Sequence, residues 1–314
     1  MLNYATFVLT GCLLGPWLLR EREFDIIFIF QLSPVTSAIP GLVVSRFRKL
    51  PVMMWVLDLW PDTLAALGVV RTPWVLDLIG RMVGAIYRRC NLVLGQSRAF
   101  ESNVRRLSGD SSRFRYLPGW PEPIFQGELT GIKPAAAVAQ YMDGTFNVFF
   151  AGNLGESQGL PALLDAVEEL RNRHDIRFIL VGDGRAAGWV RAEVKRRNLE
   201  DRVILLGRYP IEEMPSFFRA ASALLVTLKP DPAFANTIPG KVQAYMATGL
   251  PLLGMLDGEG ARILRESGSG FVAAAGDGVG LANRVREMAT LTLSERAAMG
   301  ARGKEYENRE FNRE

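Results

Sequence analysis

Strands and helices alternate along this chain, stop, and then start again, and that restart limits the folds open to it. Apolar runs of strand length occupy residues 24–31 (FDIIFIFQ), 52–57 (VMMWVL), 92–96 and 113–117. Helix-like segments at 38–47, 73–90 and 97–107 separate them. Strand–helix alternation of this kind predicts a parallel sheet with crossover helices. From 117 to 143 the texture changes, with Pro118, Pro121, Pro123, Gly127, Gly131 and Pro134. That composition reads as a linker or hinge. At Phe146 the alternation resumes: NVFFAG, LPALLDAVEELRNR, RFILVG, GWVRAEVKRRN, VILLG, MPSFFRAA and ALLVTL follow as strand, helix, strand, helix, strand, helix, strand. The expectation is an α/β protein of two Rossmann-like domains facing a cleft, one at residues 1–142 with its linker and one at 143–314. No repeat of fixed period and no low-complexity tract is present.

The 314 residues, 48% of them hydrophobic, are enough for two cores. The first 19 residues, MLNYATFVLTGCLLGPWLL, are long and apolar enough to raise the question of a membrane span. Asn3, Tyr4, Thr6 and Thr10 interrupt them, Gly15-Pro16 is expected to break the helix, and no basic start or small-residue cleavage site marks a secretory signal. They read as an internal helix that packs on a sheet or rests on a bilayer. The formal net charge is +4, and Arg20, Arg22, Arg46, Arg48 and Lys49 cluster in the first 50 residues. Such charge favours phosphates or an anionic membrane surface, and equally fits ordinary solvated faces. No recognition motif accompanies it, so nucleic acid is not expected as a partner. Cys12 and Cys90 sit in apolar helix-like segments and indicate neither a disulfide framework nor a metal site. The single histidine, His174, lies among Arg171, Asn172, Arg173 and Asp175 at a solvated helix end, which leaves no histidine for a catalytic base. There is no Asp-x-Asp pair to hold a divalent metal on a nucleotide.

In open α/β sheets, ligands bind beyond the carboxyl ends of the strands. Four loops of the second half fall at such ends, carrying Gly152, Asn153 and Gly155; Gly182 and Gly184; Gly207 and Tyr209; and residues 230–240. Glycines there let a backbone approach a ligand closely. Neither the G-x-G-x-x-G nor the phosphate-loop lysine pattern occurs, so no dinucleotide oxidoreductase or P-loop enzyme is indicated. The fourth loop opens the stretch FANTIPGKVQAYMATGLPLLGMLDGE. Its helix, expected from about Lys241 to Thr248 and ended by Gly249, carries Asn236, Thr237 and Lys241 at or before its first turn, the make-up of a diphosphate site. A strand at 251–255 and a polar turn at Asp257, Gly258 and Glu259 follow, with Glu259 within reach of sugar hydroxyls. The alternative is an ordinary loop–helix–strand unit with a surface lysine.

AGNLGESQGLPALLDAV, LVGDGRAAGWV, VILLGRYPIEEMPSFFRAASALLVTL and TIPGKVQAYMATGLPLLGMLDGEG together resemble the donor domain of family 4 glycosyltransferases, retaining enzymes of the GT-B fold. VLDLWPDTL and YLPGWPEPIF resemble the branch typified by O-antigen and colanic-acid fucosamine or fucosyl transferases. The resemblance implies roles for matching positions. Gly152, Asn153, Gly155, Gln158, Gly182, Gly184 and Thr237 would surround the donor, Lys241 would neutralise the leaving diphosphate, and Asn236 would lie near the transferred sugar. Glu259 would meet sugar or ribose hydroxyls, and Gly207 and Tyr209 would line the nucleobase pocket. Asp58 and Trp60 would face the acceptor, with Asp58, Asn236 and Lys241 nearest the chemistry. Many relatives carry two glutamates where Asn236 and Ala244 stand, and an arginine and a lysine where Asn153 and Gln158 stand; the branch shares these replacements.

The implied reaction is metal-independent transfer from a UDP- or GDP-linked sugar, with retention, to a polyprenyl-diphosphate-linked or other saccharide acceptor. It would serve cell-surface polysaccharide (O-antigen, capsule or exopolysaccharide) synthesis, in the cytoplasm or on the inner face of the cytoplasmic membrane, with no resident cofactor. The chain begins at what looks like a later helix of the first domain, and residues 305–314 look like the start of a closing helix. An incomplete first domain, and poor transfer by the chain as it stands, are therefore expected. Two alternatives stay open: a non-catalytic nucleotide-sugar-binding partner subunit, and a GT-B-like sugar-nucleotide epimerase.

Overall fold

A computed structural model describes residues 2–312. The chain divides into two units, Met1–Pro118 and Gly119–Glu314. The break falls at 118/119 rather than 142/143, because the linker-like residues are fastened to the second unit. Gln243 Nε2 donates to Gly119 O at 2.9 Å, Ala135 N–H to Ser216 O at 3.1 Å, and Asn147 Nδ2 to Tyr141 O at 2.6 Å. Phe125 also stacks on Phe218, with ring centroids 6.1 Å apart.

The first unit holds a parallel sheet of β1 (Ile27–Gln31), β2 (Val52–Val56), β3 (Leu92–Gly95) and β4 (Phe114–Tyr116), in that spatial order. Its core joins Met54, Val56 and Val93 to Val83, Ile86 and Phe100 of the covering helices. β1 is an edge strand whose Phe28 and Phe30 are half exposed, alternating with buried Ile29 and Gln31. The sheet is thus continuously apolar in its centre and amphipathic at this edge.

The N-terminal helix, Leu2–Leu18, corrects two sequence expectations. It runs through Pro16 without a break. A proline so near the end removes one backbone bond and leaves the preceding turns intact. It packs not on a sheet but on the Ile39–Arg48 helix, where a Cβ on Gly11 would stand 2.8 Å from Pro40 Cγ. Arg48 ties its end down by donating to Arg20 O at 2.6 Å and Arg22 O at 2.7 Å. Tyr4, Phe7, Leu13 and Trp17 remain more than half exposed. No helix among the described residues is long and apolar enough to cross a membrane.

The second unit holds six parallel strands: β5 (Phe146–Ala151), β6 (Ile176–Val181), β7 (Val203–Gly207), β8 (Ala223–Thr227), β9 (Leu252–Met255) and β10 (Gly270–Ala273), in the order β10-β9-β8-β5-β6-β7. The order reverses between β5 and β8, the doubly wound switch point. β5 and β8 are buried at every residue, as strands covered on both faces must be. Asn147, polar inside β5, is satisfied by donating to Tyr141 O and Ala220 O. Beyond β9 the expected polar turn is instead a helix start: Asp257 precedes the Gly258–Ser267 helix. The closing helix begins at Leu293, well before residue 305, behind a Thr292–Glu295 capping box, and runs to Glu310. Residues 313 and 314 of the segment expected to be helical lie outside the described residues.

Candidate donor site

The switch point of the second sheet opens into a cavity of about 1080 Å³. Its floor is backbone. Gly152 follows β5 with φ +128°, and Gly182 follows β6 with φ +144°, conformations that favour glycine. They touch so closely that a Cβ on Gly182 would lie 1.8 Å from Gly152 O. Hydrogen bonds lock the strand ends in series: Gly152 N–H to Val181 O at 2.8 Å, Gly182 N–H to Gly207 O at 2.7 Å, and Leu154 N–H to Asp183 O at 2.9 Å. Asn153 lies between Gly155 and Gly184, where a Cβ at either position would meet its amide group.

Lys241 enters from the first turn of the Gly240–Ala247 helix. Its Nζ donates to Gln158 Oε1 at 2.6 Å and sits 3.6 Å from the centroid of the Phe150 ring. Among the described residues no carboxylate forms an ion pair with it. Burial alone therefore lowers its pKa, to about 7. A cation held by an amide oxygen and an aromatic face, at a helix N-terminus, is arranged to receive an anion.

Gly152, Asn153, Gly182, Gly184, Tyr209 and Lys241 of the sequence-predicted set line the cavity, and Gln158 joins through its bond to Lys241. Tyr209 packs on Phe217 with centroids 4.5 Å apart. Gly155 and Gly207 are not among the lining residues; Gly207 has φ +81°. Asn236 and Thr237 are not among the residues that line the cavity. They follow a short helix, Pro232–Ala235, begun by Asp231, and the Thr237 hydroxyl donates to Ala233 O at 3.1 Å. Glu259 is also away from the lining; both its carboxylate oxygens take bonds from Arg262 at 3.0 Å, a three-residue helical spacing. Sequence reasoning passed over Trp120, Glu122 and Phe125, which supply one wall from the linker-like segment. Only the tertiary attachment of that segment reveals them.

In the first unit, Asp58 and Trp60 follow β2, and Ser33 follows β1. Trp60 Nε1 donates to the Ser33 hydroxyl at 2.8 Å, and that hydroxyl donates in turn to Asp58 Oδ2. Among the described residues no group of three or more His, Cys, Asp or Glu is placed to hold a metal ion.

Two Rossmann-like halves, the second with its cavity at the switch point, define the GT-B class of fold. Residues 145–290 match the family model for glycosyl transferases group 1. The chain is 27% identical over 289 residues to the probable glycosyltransferase WbjE of Pseudomonas aeruginosa, covering 88% of this chain and 68% of that protein. It is 26% identical over 167 residues to an uncharacterized glycosyltransferase of Methanocaldococcus jannaschii, covering 53% and 44%. Among solved structures, Anabaena HepE in complex with UDP and glucose superposes with a TM-score of 0.70 at 18% identity, over 98% of this chain and 77% of that one. Over residues 145–290 the second unit is thus similar to the group 1 glycosyltransferases.

Proposed function

We propose that the chain transfers a sugar from a nucleoside-diphosphate sugar to a saccharide acceptor, with the diphosphate held in the second unit's cavity. The observation that carries this reading is Lys241: a partly buried cation, without an acidic partner among the described residues, beside the Gly152 backbone at the sheet's switch point. In this reading the diphosphate displaces Gln158 from Lys241 Nζ and takes further hydrogen bonds from the glycine-loop amides. As the sugar–phosphate bond breaks, charge grows on the leaving oxygen, and Lys241 with the helix N-terminus stabilises it. The protein itself supplies the positive charge, so no divalent metal is needed. The acceptor hydroxyl attacks the face the diphosphate leaves and gives its proton to the departing phosphate oxygen, which retains configuration without a covalent carboxylate.

The solved HepE complexes hold UDP, and one holds UDP-glucose, which favours a uridine diphosphate donor. The WbjE relative, named a probable glycosyltransferase, supports sugar transfer. The exposed apolar side of the N-terminal helix and nearby arginines support a lipid-linked acceptor met at the inner face of the cytoplasmic membrane. Calorimetry of UDP and GDP with the full chain tests the donor site. Wild type is expected to bind one of them equally with and without EDTA. Lys241→Ala is expected to weaken it by about 1.5–3 kcal/mol, the range for a charge-assisted hydrogen bond. Equal binding by wild type and mutant removes Lys241 from the site, and loss on chelation contradicts the metal-free role.

A further inference from the structure

We propose that Tyr245 is the positioning residue of the diphosphate loop, its hydroxyl clamping the end of β5 so that the backbone from Gly152 to Gly155 is held ready for the ligand. The inference rests on the donor-site reading above.

β5 pairs with β6 along its whole length, to Ala151↔Val181, but with β8 only at Val148↔Ala223 and Phe149↔Leu224. The β5–β8 ladder ends there, two residues before β5 itself. In a parallel ladder the N–H and C=O of one residue face the same neighbour. Gly152 N–H bonds Val181 O on the β6 side, so both polar groups of Ala151 face the β8 side, beyond the last rung. Ala151 is buried, and buried backbone groups without partners are destabilising. The Tyr245 hydroxyl fills the gap. It accepts from Ala151 N–H at 2.9 Å and donates to Ala151 O at 2.9 Å.

Tyr245 is built for this place. It stands four residues after Lys241 on the same helix, so one helix face presents the cation to the ligand and the phenol to the strand end. Its ring is 2% exposed and meets Phe218 edge-on, with centroids 5.7 Å apart. Burial raises its pKa well above that of a free phenol, which keeps the hydroxyl proton available to Ala151 O. The residue after the clamp is Gly152, whose φ of +128° is a freedom that needs fixing. β6 fixes it from one side and Tyr245 from the other.

The test is Tyr245→Phe in the full chain, which keeps the ring and removes the hydroxyl. UDP affinity is measured by calorimetry far below the melting temperature, beside Val285→Ala as a control buried in a core cluster of the same unit and outside the cavity lining. Tyr245→Phe is expected to weaken UDP binding about tenfold, the scale of one buried hydrogen-bond pair lost beside a ligand. The control is expected to lower the melting temperature and leave affinity unchanged. A Tyr245→Phe protein that melts lower yet binds UDP like wild type overturns the inference. Wild type that binds neither UDP nor GDP refutes the donor-site reading, and this inference with it. Hydrogen exchange on wild type needs no variant: the Ala151 amide is expected to exchange as slowly as the interior of β5, and fast exchange there overturns the clamp.

Discussion

In the proposed reaction Lys241 supplies the charge that the leaving diphosphate needs, and its surroundings make it sensitive to pH. Burial beside Phe150 and Gln158, with no ion-paired carboxylate among the described residues, brings its pKa down to about 7. A bound diphosphate favours the charged form, so above that value the empty site must take up a proton on binding. The sign follows: affinity is level below about pH 7 and falls as pH rises, at up to roughly tenfold per unit. UDP-glucose is the suitable probe, since its diphosphate does not ionise in this range. Calorimetry across this range in buffers of different ionisation enthalpy should show the proton uptake, and Lys241→Met should bind weakly with no such slope. A wild-type affinity that is flat from pH 7 to about 9 would place the Lys241 titration elsewhere. The lysine was legible in the sequence from its helix-start position, whereas Gln158 entered only through the family resemblance. The bond between them, and the Phe150 face beneath, were not, because they depend on how three strand ends converge.

Glycines after β5, β6 and β7 were legible as loop elements because each ends an apolar run, and their positive φ values show why no other residue suits. Gly182 is the most demanding: its missing Cβ makes room for Gly152 O, and no side-chain rotation can relieve that contact. Gly182→Ala should destabilise the second unit by about 3 kcal/mol, from strained φ and overpacking together, and should weaken nucleotide binding. Urea unfolding checks it; a loss under about 1 kcal/mol would mean the loop has slack that the hydrogen bonds do not suggest. Other elements misled the sequence reading for physical reasons. Gly258 and Glu259 look like a turn but begin a helix, because Asp257 stands in the extended conformation that precedes one. Pro16 looks like a break, yet sits too near a helix end to interrupt it. Residues 119–142 look like a free linker, but they lie on the second unit and wall its cavity, an attachment no local pattern records.

At the scale of the molecule, the restarted alternation carried the fold: two Rossmann-like units, the second with its strand order reversing between β5 and β8. Which half carries the candidate cavity was also legible, since glycine loops mark strand ends in the second half. The first unit was harder to read. Asp58 and Trp60 stood out by resemblance, whereas Ser33, which links them, has no local signature and is found only because β1 and β2 lie side by side. The central claim is that a nucleoside diphosphate occupies the second unit's cavity with its phosphates on Lys241. A crystal structure of the full chain grown with UDP tests it most directly. The diphosphate is predicted within about 3 Å of Lys241 Nζ and of the Gly152 or Asn153 amide, with Gln158 displaced. UDP bound outside this cavity, or inside it with its phosphates turned away from Lys241, would contradict the account.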